Sequence, residues 1–337
     1  MNPKPTLNKL YLFIFISFTL LLAFNARSQE ALKTENKMLY TKETYTYKIV
    51  NNHKILADVF RCPDQEIRPA IIWIHGGALI FDSRKDLSYE QLEMYLKEGY
   101  TIVSIDYRLA PESKLAEIIE DLADAYSWIL SKGPGLFNID PDRIAIVGHS
   151  AGGYLTLVAG FRFMPSPKAL VVFYGYGDIT GAWYSQPDSF YNQLKAVSKD
   201  QAFQSIGDTI ISGVASESLG SSRFLFYLFC RQHGLWPIEV SGHDPKKESD
   251  WFHDYEPIRN ITPAYPPTML LHGEKDTDVP IQQSLLMADL FKENGVEFEF
   301  ISNSNWGHAF DEDSGMDNPA VQEAFKQVKI FLKKHLK

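Results

Sequence analysis

The sequence has 337 residues, of which 45% are hydrophobic and 13% aromatic, so it contains enough apolar surface for a large buried core. Its formal net charge of −9 makes nucleic acid and anionic membrane surfaces poor partners. Two cysteines, Cys62 and Cys230, do not make a disulfide framework, and two unpaired thiols are favoured over a bridge between them.

The first 28 residues have the pattern of a secretory signal peptide. Two lysines precede an apolar run over residues 10–24, and Ala26 and Ser28 supply small residues where a signal peptidase needs them. The run is shorter than the roughly 20 apolar residues of a spanning helix, so a cleaved signal is favoured over an uncleaved anchor. We therefore expect a mature protein of residues 29–337 that is periplasmic or secreted and has no stable membrane span.

The mature sequence begins with a β-hairpin followed by a buried strand. Alternating patterns over residues 44–50 and 54–60 flank Asn51-Asn52, which predicts two antiparallel strands joined by a tight turn. The apolar run over residues 70–74 is typical of a central strand buried on both faces. It ends in His75-Gly76-Gly77-Ala78, where glycines let backbone N–H groups face open space, as an oxyanion hole requires.

Helices and strands then alternate along the chain, which predicts a parallel sheet covered by helices on both faces. An amphipathic pattern predicts a helix over residues 114–131 that ends at Gly133-Pro134-Gly135. Another helix is predicted over residues 86–98, with a strand after it over 100–105. Further strands are predicted over 143–147, 169–174, 266–273 and 296–301, and further helices over 281–294 and 319–335.

The segment around Ser150 has the pattern of a nucleophile elbow. The strand over residues 143–147 leads into Gly148-His149-Ser150-Ala151-Gly152, and an apolar run over 154–159 suits the packed helix that follows. Gly-x-Ser-x-Gly matches a turn so tight that the neighbours of the serine must be almost free of side chains. The turn sets Ser150 at a helix N-terminus, which favours the negative charge that develops in acyl transfer.

Residues 175–265 interrupt the alternation and are predicted to form a cap inserted into an α/β-hydrolase domain over residues 29–337. The segment is long, contains one apolar helical stretch around 224–230, and has prolines that make much of it irregular. Loops at the carboxyl ends of parallel strands are where ligands bind, so we expect a lid and not a separate domain. Its large aromatics are interpreted as cap core in preference to a surface that stacks on a sugar or aryl group: Trp183, Tyr184, Phe190, Tyr191, Trp236 and Trp251.

Two downstream loops hold the partners that a nucleophilic serine needs, a histidine base and a carboxylate that orients it. Asp276 follows the strand predicted over residues 266–273, and His308 lies just past the next strand. The chain order Ser150, Asp276, His308 is the one expected in this architecture. Asp278 is an alternative orienting carboxylate, two residues from Asp276.

Other polar residues are interpreted as structural. His149 is adjacent to Ser150 in a tight turn, so we expect its side chain to point away from the serine. Arg108 is expected to be an ion-pair partner near the floor of the site. No two of the remaining histidines share a ligand spacing with a third residue, so neither a metal nor a cofactor is expected.

Taken together, the motifs resemble the α/β-hydrolase fold and, within it, the esterases and lipases related to hormone-sensitive lipase. The likeness spans about residues 45–337 outside the cap. It rests on five pieces in one order: His75-Gly76-Gly77, Asp106-Tyr107-Arg108-Leu109-Ala110-Pro111-Glu112, Gly148-His149-Ser150-Ala151-Gly152-Gly153, the Asp276 loop and the His308 loop.

The resemblance implies a role for each site residue. Ser150 is the nucleophile, His308 the general acid and base, and Asp276 the carboxylate that orients His308. The oxyanion hole is expected from Gly76, Gly77, Ala78 and Ala151. Ala78 stands where the group usually has a third glycine, and an alanine still donates its N–H.

These expectations describe a secreted serine hydrolase that cleaves carboxylic esters, with short acyl groups favoured, through an acyl-enzyme. Its partner is an ester carried by a small molecule or a glycan. An amidase or formamidase, or a serine peptidase, would use the same triad, and a catalytically silent binding protein is the alternative from another class. The sequence does not decide the oligomeric state.

Overall fold

A mostly parallel β-sheet forms the centre of the computed structural model, which describes residues 39–214, 216–313, 315 and 317–337. In chain order the strands are β1 (Thr41–Val50), β2 (His53–Arg61), β3 (Arg68–Ile74), β4 (Thr101–Ile105), β5 (Ile139–His149), β6 (Ala169–Phe173), β7 (Thr268–Gly273) and β8 (Phe298–Asn303). Their order across the sheet is β1-β2-β4-β3-β5-β6-β7-β8. β2 pairs antiparallel with β1 and β4, and every other neighbouring pair is parallel. The predicted α/β class is confirmed.

The helices follow the strands in the alternation that the sequence predicts. They are α1 (Tyr89–Lys97), α2 (Leu115–Phe137), α3 (Ala151–Arg162), α4 (Ala182–Ser185), α5 (Lys199–Phe203), α6 (Ser216–His233), α7 (Trp236–Ser241), α8 (Gln282–Glu293), α9 (Phe310–Asp313) and α10 (Pro319–His335). Among the described residues, none of these helices is long and apolar enough to cross a membrane. The predicted signal peptide, residues 1–28, lies outside the described part of the chain.

Helices pack on both faces of the sheet, because successive side chains of a strand point to opposite faces. In β6, Val172 belongs to the buried cluster that contains Leu155 and Val158 of α3. The next residue, Phe173, packs on the other face, where its ring lies 5.4 Å from that of Phe325 in α10. The central strands are therefore buried on both sides, which is why they read as continuous apolar runs.

The N-terminal hairpin has the turn that the sequence predicts. Asn51 and Asn52 have φ values of 48° and 69°, the left-handed region that asparagine tolerates better than most residues. Such a turn matches the twist of the two strands it joins, and β1 and β2 pair from Thr41 to Val50.

The predicted end of α2 is wrong, because the helix continues through Gly133-Pro134-Gly135 to Phe137. The last turn is held by packing: the ring of Phe137 is buried and lies 5.9 Å from Tyr45 and 5.6 Å from Trp128. The helix ends one residue later at Asn138, whose φ is 54°. Tertiary burial thus outweighs the local preference of proline and glycine to end a helix.

The segment between β6 and β7 contains four of the helices, α4 to α7, and three short 3-10 turns at Tyr191–Gln193, Trp251–Tyr255 and Pro257–Arg259. Its aromatic residues pack on one another. The rings of Tyr184 and Trp236 stack with centroids 4.2 Å apart. The ring of Trp183 also stacks on Tyr184, with centroids 3.7 Å apart. We call residues 175–265 the cap segment below.

Candidate active site

Ser150 lies at a strained turn between β5 and α3. Its φ is 55°, a conformation that costs an ordinary residue on the order of 1–3 kcal/mol and that needs support from the surroundings. The two flanking glycines explain how the turn closes. A Cβ on Gly148 would lie 2.1 Å from the carbonyl oxygen of Gly152, and one on Gly152 would lie 2.2 Å from that of Ile74. The elbow can therefore form only with glycine at both positions.

The structure brings Ser150, His308 and Asp276 together in one line. His308 Nε2 lies 3.0 Å from Ser150 Oγ, and His308 Nδ1 lies 2.8 Å from Asp276 Oδ2. Each residue follows a different parallel strand, β5, β7 or β8, so the three loops meet at the carboxyl edge of the sheet. Both hydrogen bonds have the length that proton transfer from the serine hydroxyl requires.

Asp276 is held as a carboxylate. Its Oδ1 accepts the backbone N–H groups of Asp278 at 2.9 Å and Val279 at 2.8 Å. Its Oδ2 also lies 3.2 Å from Nε2 of His272, one of the histidines for which the sequence predicts no role. Burial opposes the negative charge, but His308 and His272 hold the pKa of Asp276 well below its ordinary range. The group is therefore ready to stabilise a positive charge on His308.

Asp278 faces the opposite nitrogen of the same imidazole. Its Oδ2 lies 3.4 Å from His308 Nε2, so Asp276 and not Asp278 is the carboxylate at Nδ1. The other oxygen, Oδ1, accepts hydrogen bonds from the Tyr191 hydroxyl at 2.7 Å, from Arg231 Nη1 at 2.8 Å and from the Tyr227 hydroxyl. Both tyrosines and the arginine are buried in the cap segment.

The two carboxylates favour the charged form of His308. Burial lowers the pKa of His308, but Asp278 and then Asp276 outweigh it and raise the pKa to about 9. The neutral imidazole is the form that accepts a proton from serine. Activity that depends on this base is therefore expected to rise with pH up to about that value.

The carbonyl groups of the loop after β3, residues 75–80, are held by hydrogen bonds, and we call this segment the oxyanion loop below. The Tyr107 hydroxyl lies 2.9 Å from the carbonyl oxygen of Gly76, and the carbonyl oxygen of Gly77 accepts the N–H of Ile80 at 2.7 Å. In a trans peptide the N–H points opposite to the carbonyl. These bonds thus direct the N–H groups of Gly77 and Ala78 away from the body of the loop.

The oxyanion loop lies against the elbow. A Cβ on Gly76 would be 3.3 Å from Cβ of Ser150 and 3.1 Å from the carbonyl oxygen of His149. Ala151 follows Ser150 as the first residue of α3, where backbone N–H groups have no partner within the helix. Gly76 of the oxyanion loop and Ala151 of α3 therefore lie beside the nucleophile.

His149 lies in the core and does not reach the site. Its ring stacks on Phe173 at 4.4 Å, and its Nε2 lies 3.0 Å from Asp311, which also accepts a hydrogen bond from the Tyr174 hydroxyl. Arg108 likewise binds a buried carboxylate, that of Asp121, at 2.8 Å. Both interpretations made from the sequence are confirmed.

Several residues around the site were not found from the sequence. His272 lies beneath Asp276, and Arg231 lies behind Asp278, where it also binds Asp188 at 2.6 Å. Two features of the sequence could have drawn attention to them: His272 is a polar residue at the end of a buried strand, and Arg231 is an arginine in an apolar helix. Neither signal names a partner: His272 meets Asp276 only because the chain turns after β7, and Arg231 meets Asp278 47 positions further along the chain.

The chain has the α/β-hydrolase fold, and Ser150, His308 and Asp276 are arranged as the triad of a serine hydrolase is. Two family models match separate parts of the chain, one before the cap segment and one that begins within it. A model described as BD-FAE matches residues 58–166, which include the oxyanion loop and Ser150. The model of the Prolyl oligopeptidase family matches residues 226–337, which include Asp276 and His308.

Solved structures extend the likeness of the fold to most of the chain. A Staphylococcus aureus protein of unknown function is 24% identical, with a TM-score of 0.70 over 88% of this chain and all of that one. An α/β-hydrolase superfamily protein from Enterococcus faecalis is 22% identical, with a TM-score of 0.66 over 87% and 99% of the two chains. Esterase Est2 of Thermogutta terrifontis is 21% identical, with a TM-score of 0.61 over 87% and 92%. These likenesses show that most of the chain has the α/β-hydrolase fold.

The curated relatives are much longer proteins. The non-reducing polyketide synthase Preu6 of Preussia isomera is 28% identical over 324 residues, which cover 87% of this chain. The match spans only 15% of that synthase. The likeness therefore concerns one part of a large protein.

Proposed function

We propose that the protein hydrolyses carboxylic esters through an acyl-enzyme formed on Ser150. The observation that carries the proposal is the continuous line of hydrogen bonds from Ser150 Oγ through His308 to Asp276, at 3.0 Å and 2.8 Å. A neutral imidazole at that distance removes the hydroxyl proton as the oxygen attacks, and the buried carboxylate stabilises the imidazolium that results.

The same residues serve both halves of the reaction. Ser150 Oγ attacks the ester carbonyl, His308 Nε2 takes the proton, and the carbonyl oxygen becomes an oxyanion that accepts N–H groups of Gly77, Ala78 and Ala151. The imidazolium then returns the proton to the leaving alcohol. In the second half water loses a proton to His308 as it attacks the acyl-enzyme, and the imidazolium returns that proton to Ser150 Oγ as the bond to the acyl group breaks and the carboxylic acid leaves.

A short acyl group is the favoured substrate. Two of the structures of Thermogutta esterase 2 that this chain resembles hold propionate and butyrate. By analogy with these bound acids we propose acyl groups of about two to four carbons for this chain, carried by a small molecule or by a glycan.

A series of p-nitrophenyl esters from acetate to laurate tests the proposal, with the purified protein and its Ser150→Ala variant. We expect the highest kcat/KM for the short chains and a loss of activity in Ser150→Ala to the residual level that binding and the oxyanion hole supply. A folded protein that hydrolyses none of the esters would refute the ester assignment.

A peptidase is the second candidate, because residues 226–337 match the Prolyl oligopeptidase model. An amidase is chemically close, since the triad and oxyanion hole also suit an amide carbonyl. In the same assay, acetyl and prolyl p-nitroanilides distinguish amidase and peptidase activity from the proposed ester hydrolysis. Higher kcat/KM on an anilide than on the matched p-nitrophenyl ester would assign the protein to amide bonds.

We also propose a periplasmic or secreted location with cleavage of the signal after residue 28. The support is the sequence pattern of residues 1–28 alone. Expression of the full chain, cell fractionation and N-terminal sequencing of the product test it. Recovery of the uncleaved chain with the cytoplasmic fraction would refute the location.

A further inference from the structure

The oxyanion loop has an unfavourable backbone and needs external support. Ala78 and Leu79 have φ values of 54° and 64°, in the left-handed region that favours glycine, and they follow Gly77 at 83°. Two consecutive residues with side chains in that region persist only when the surroundings determine their conformation. The partners that hold this loop therefore also hold the oxyanion hole.

Two buried side chains from the cap segment bind the carbonyl groups of this loop. The indole N–H of Trp236, in α7, donates to the carbonyl oxygen of Ala78 at 2.9 Å. Arg223, in α6, donates from Nε to the carbonyl oxygen of Ile80 at 2.6 Å. Both side chains are 1% exposed, so water does not compete for these bonds.

Arg223 also joins the loop to the Asp106–Glu112 motif. Its guanidinium pairs with the Glu112 carboxylate at 2.8 Å and donates to the carbonyl oxygen of Ala110. The N–H of Ala110 in turn donates to the carbonyl oxygen of Leu79 at 2.8 Å. The carbonyls of Ala78, Leu79 and Ile80 are thus all occupied, and two of their three donors come from the cap segment.

We propose that Trp236 and Arg223 are positioning residues for the oxyanion hole, so that the cap segment forms part of the catalytic framework and does more than cover the site. Each carbonyl bond fixes the plane of a peptide in the loop, and the loop in turn aims the N–H groups of Gly77 and Ala78. The inference rests on the proposed function in one respect: it assumes that the oxyanion hole stabilises the oxyanion formed when Ser150 attacks.

Trp236→Phe is the informative variant, because phenylalanine keeps a six-membered aromatic ring against Tyr184 and removes the indole N–H donor together with the five-membered ring. Trp183→Phe is a matched control. Trp183 stacks on the same Tyr184, and its indole N–H also donates to a backbone carbonyl, that of Asp178 at 3.0 Å, which is outside the oxyanion loop. The two variants lose the same kind of bond from the same cluster. Arg223 is less suitable, since its removal leaves Glu112 buried without its partner.

The first measurement is the rate at which a fluorophosphonate probe labels Ser150, followed by intact mass. Phosphonylation needs the nucleophile and the hole but no particular substrate. We expect Trp236→Phe to label 10–100-fold more slowly than the parent protein, since loss of a whole oxyanion donor costs about 10²–10³-fold. Trp183→Phe should label within about twofold of the parent rate.

The second measurement is the division of the effect between kcat and KM on p-nitrophenyl acetate. A misplaced hole weakens binding of the transition state alone, so kcat should fall by the same 10–100-fold while KM stays within about twofold. Thermal unfolding of both variants shows whether each is folded at the assay temperature. Equal labelling rates for Trp236→Phe and Trp183→Phe, with both folded, would overturn the inference.

These measurements distinguish failure of the inference about Trp236 from failure of the ester proposal. If the parent protein hydrolyses no ester but labels at Ser150, the ester assignment fails and the labelling rates still decide the role of Trp236. If the parent protein does not label at all, the hole is not functional and the inference fails with it.

Discussion

Substitution of Asp278 by asparagine should move the activity of the protein to lower pH. The change is nearly isosteric, and an amide oxygen still accepts hydrogen bonds from Tyr191, Tyr227 and Arg231. It removes one negative charge 3.4 Å from His308 Nε2. The imidazolium then loses the largest single charge interaction that raises its pKa, while Asp276 and Glu312 remain.

The sign and size of the effect follow from the protonation of His308. With a pKa of about 9, roughly 1% of His308 is the neutral base at pH 7, because each pH unit below the pKa is a factor of ten. A fall of the pKa toward the ordinary value of about 6.5 would make most of it neutral. We expect the midpoint of the acid limb to fall by about one to two pH units, which corresponds to about 1.4–2.7 kcal/mol. Coulomb's law with an effective dielectric constant of about 20 allows up to ~5 kcal/mol for charges at this distance.

The assay is the pH dependence of kcat/KM for p-nitrophenyl acetate, which reports groups of the free enzyme. At pH 7 the Asp278→Asn variant should exceed the parent protein by about tenfold or more, and at pH 10 the two should agree within a few-fold. Asp188→Asn is the control, because Asp188 also binds Arg231 but is not one of the main charges that raise the pKa of His308. An unchanged midpoint in folded Asp278→Asn, or a shift to higher pH, would refute this account of His308.

Three further substitutions test the site and the fold. Asp276→Asn should lower kcat by about 10⁴-fold with little change in KM, because the imidazolium loses its partner and the wrong tautomer is favoured; a loss of less than tenfold in steady-state assays would argue against its role. Gly148→Ala should lower the free energy of unfolding, measured in urea, by at least about 1–3 kcal/mol, because the new Cβ would lie 2.1 Å from a carbonyl oxygen. Gly135→Ala is the control and should be neutral or stabilising, because a Cβ there would meet nothing within 4 Å. Phe137→Ala should cost about 3–5 kcal/mol in the same measurement, and a cost below 1 kcal/mol would mean that the last turn of α2 does not depend on this ring.

Local patterns in the sequence were sufficient to predict the sheet strands, the hairpin and the elbow. Strands buried on both faces must be apolar throughout, and the Asn51-Asn52 turn and the glycines beside Ser150 meet steric requirements of the backbone itself. Asp276 and His308 could be proposed because loops that follow parallel strands meet at one edge of the sheet. These features depend on the chain near each residue and on the order of the elements.

Only the tertiary structure decided which partners surround the reacting groups. The sequence left Asp276 and Asp278 as alternatives, and the structure puts them at opposite nitrogens of His308. The bond from Trp236 to Ala78 joins residues 158 positions apart, and α2 continues past Pro134 because a distant hairpin buries Phe137. Such contacts depend on packing between elements far apart in the chain, and no periodicity or motif within one segment encodes the partner.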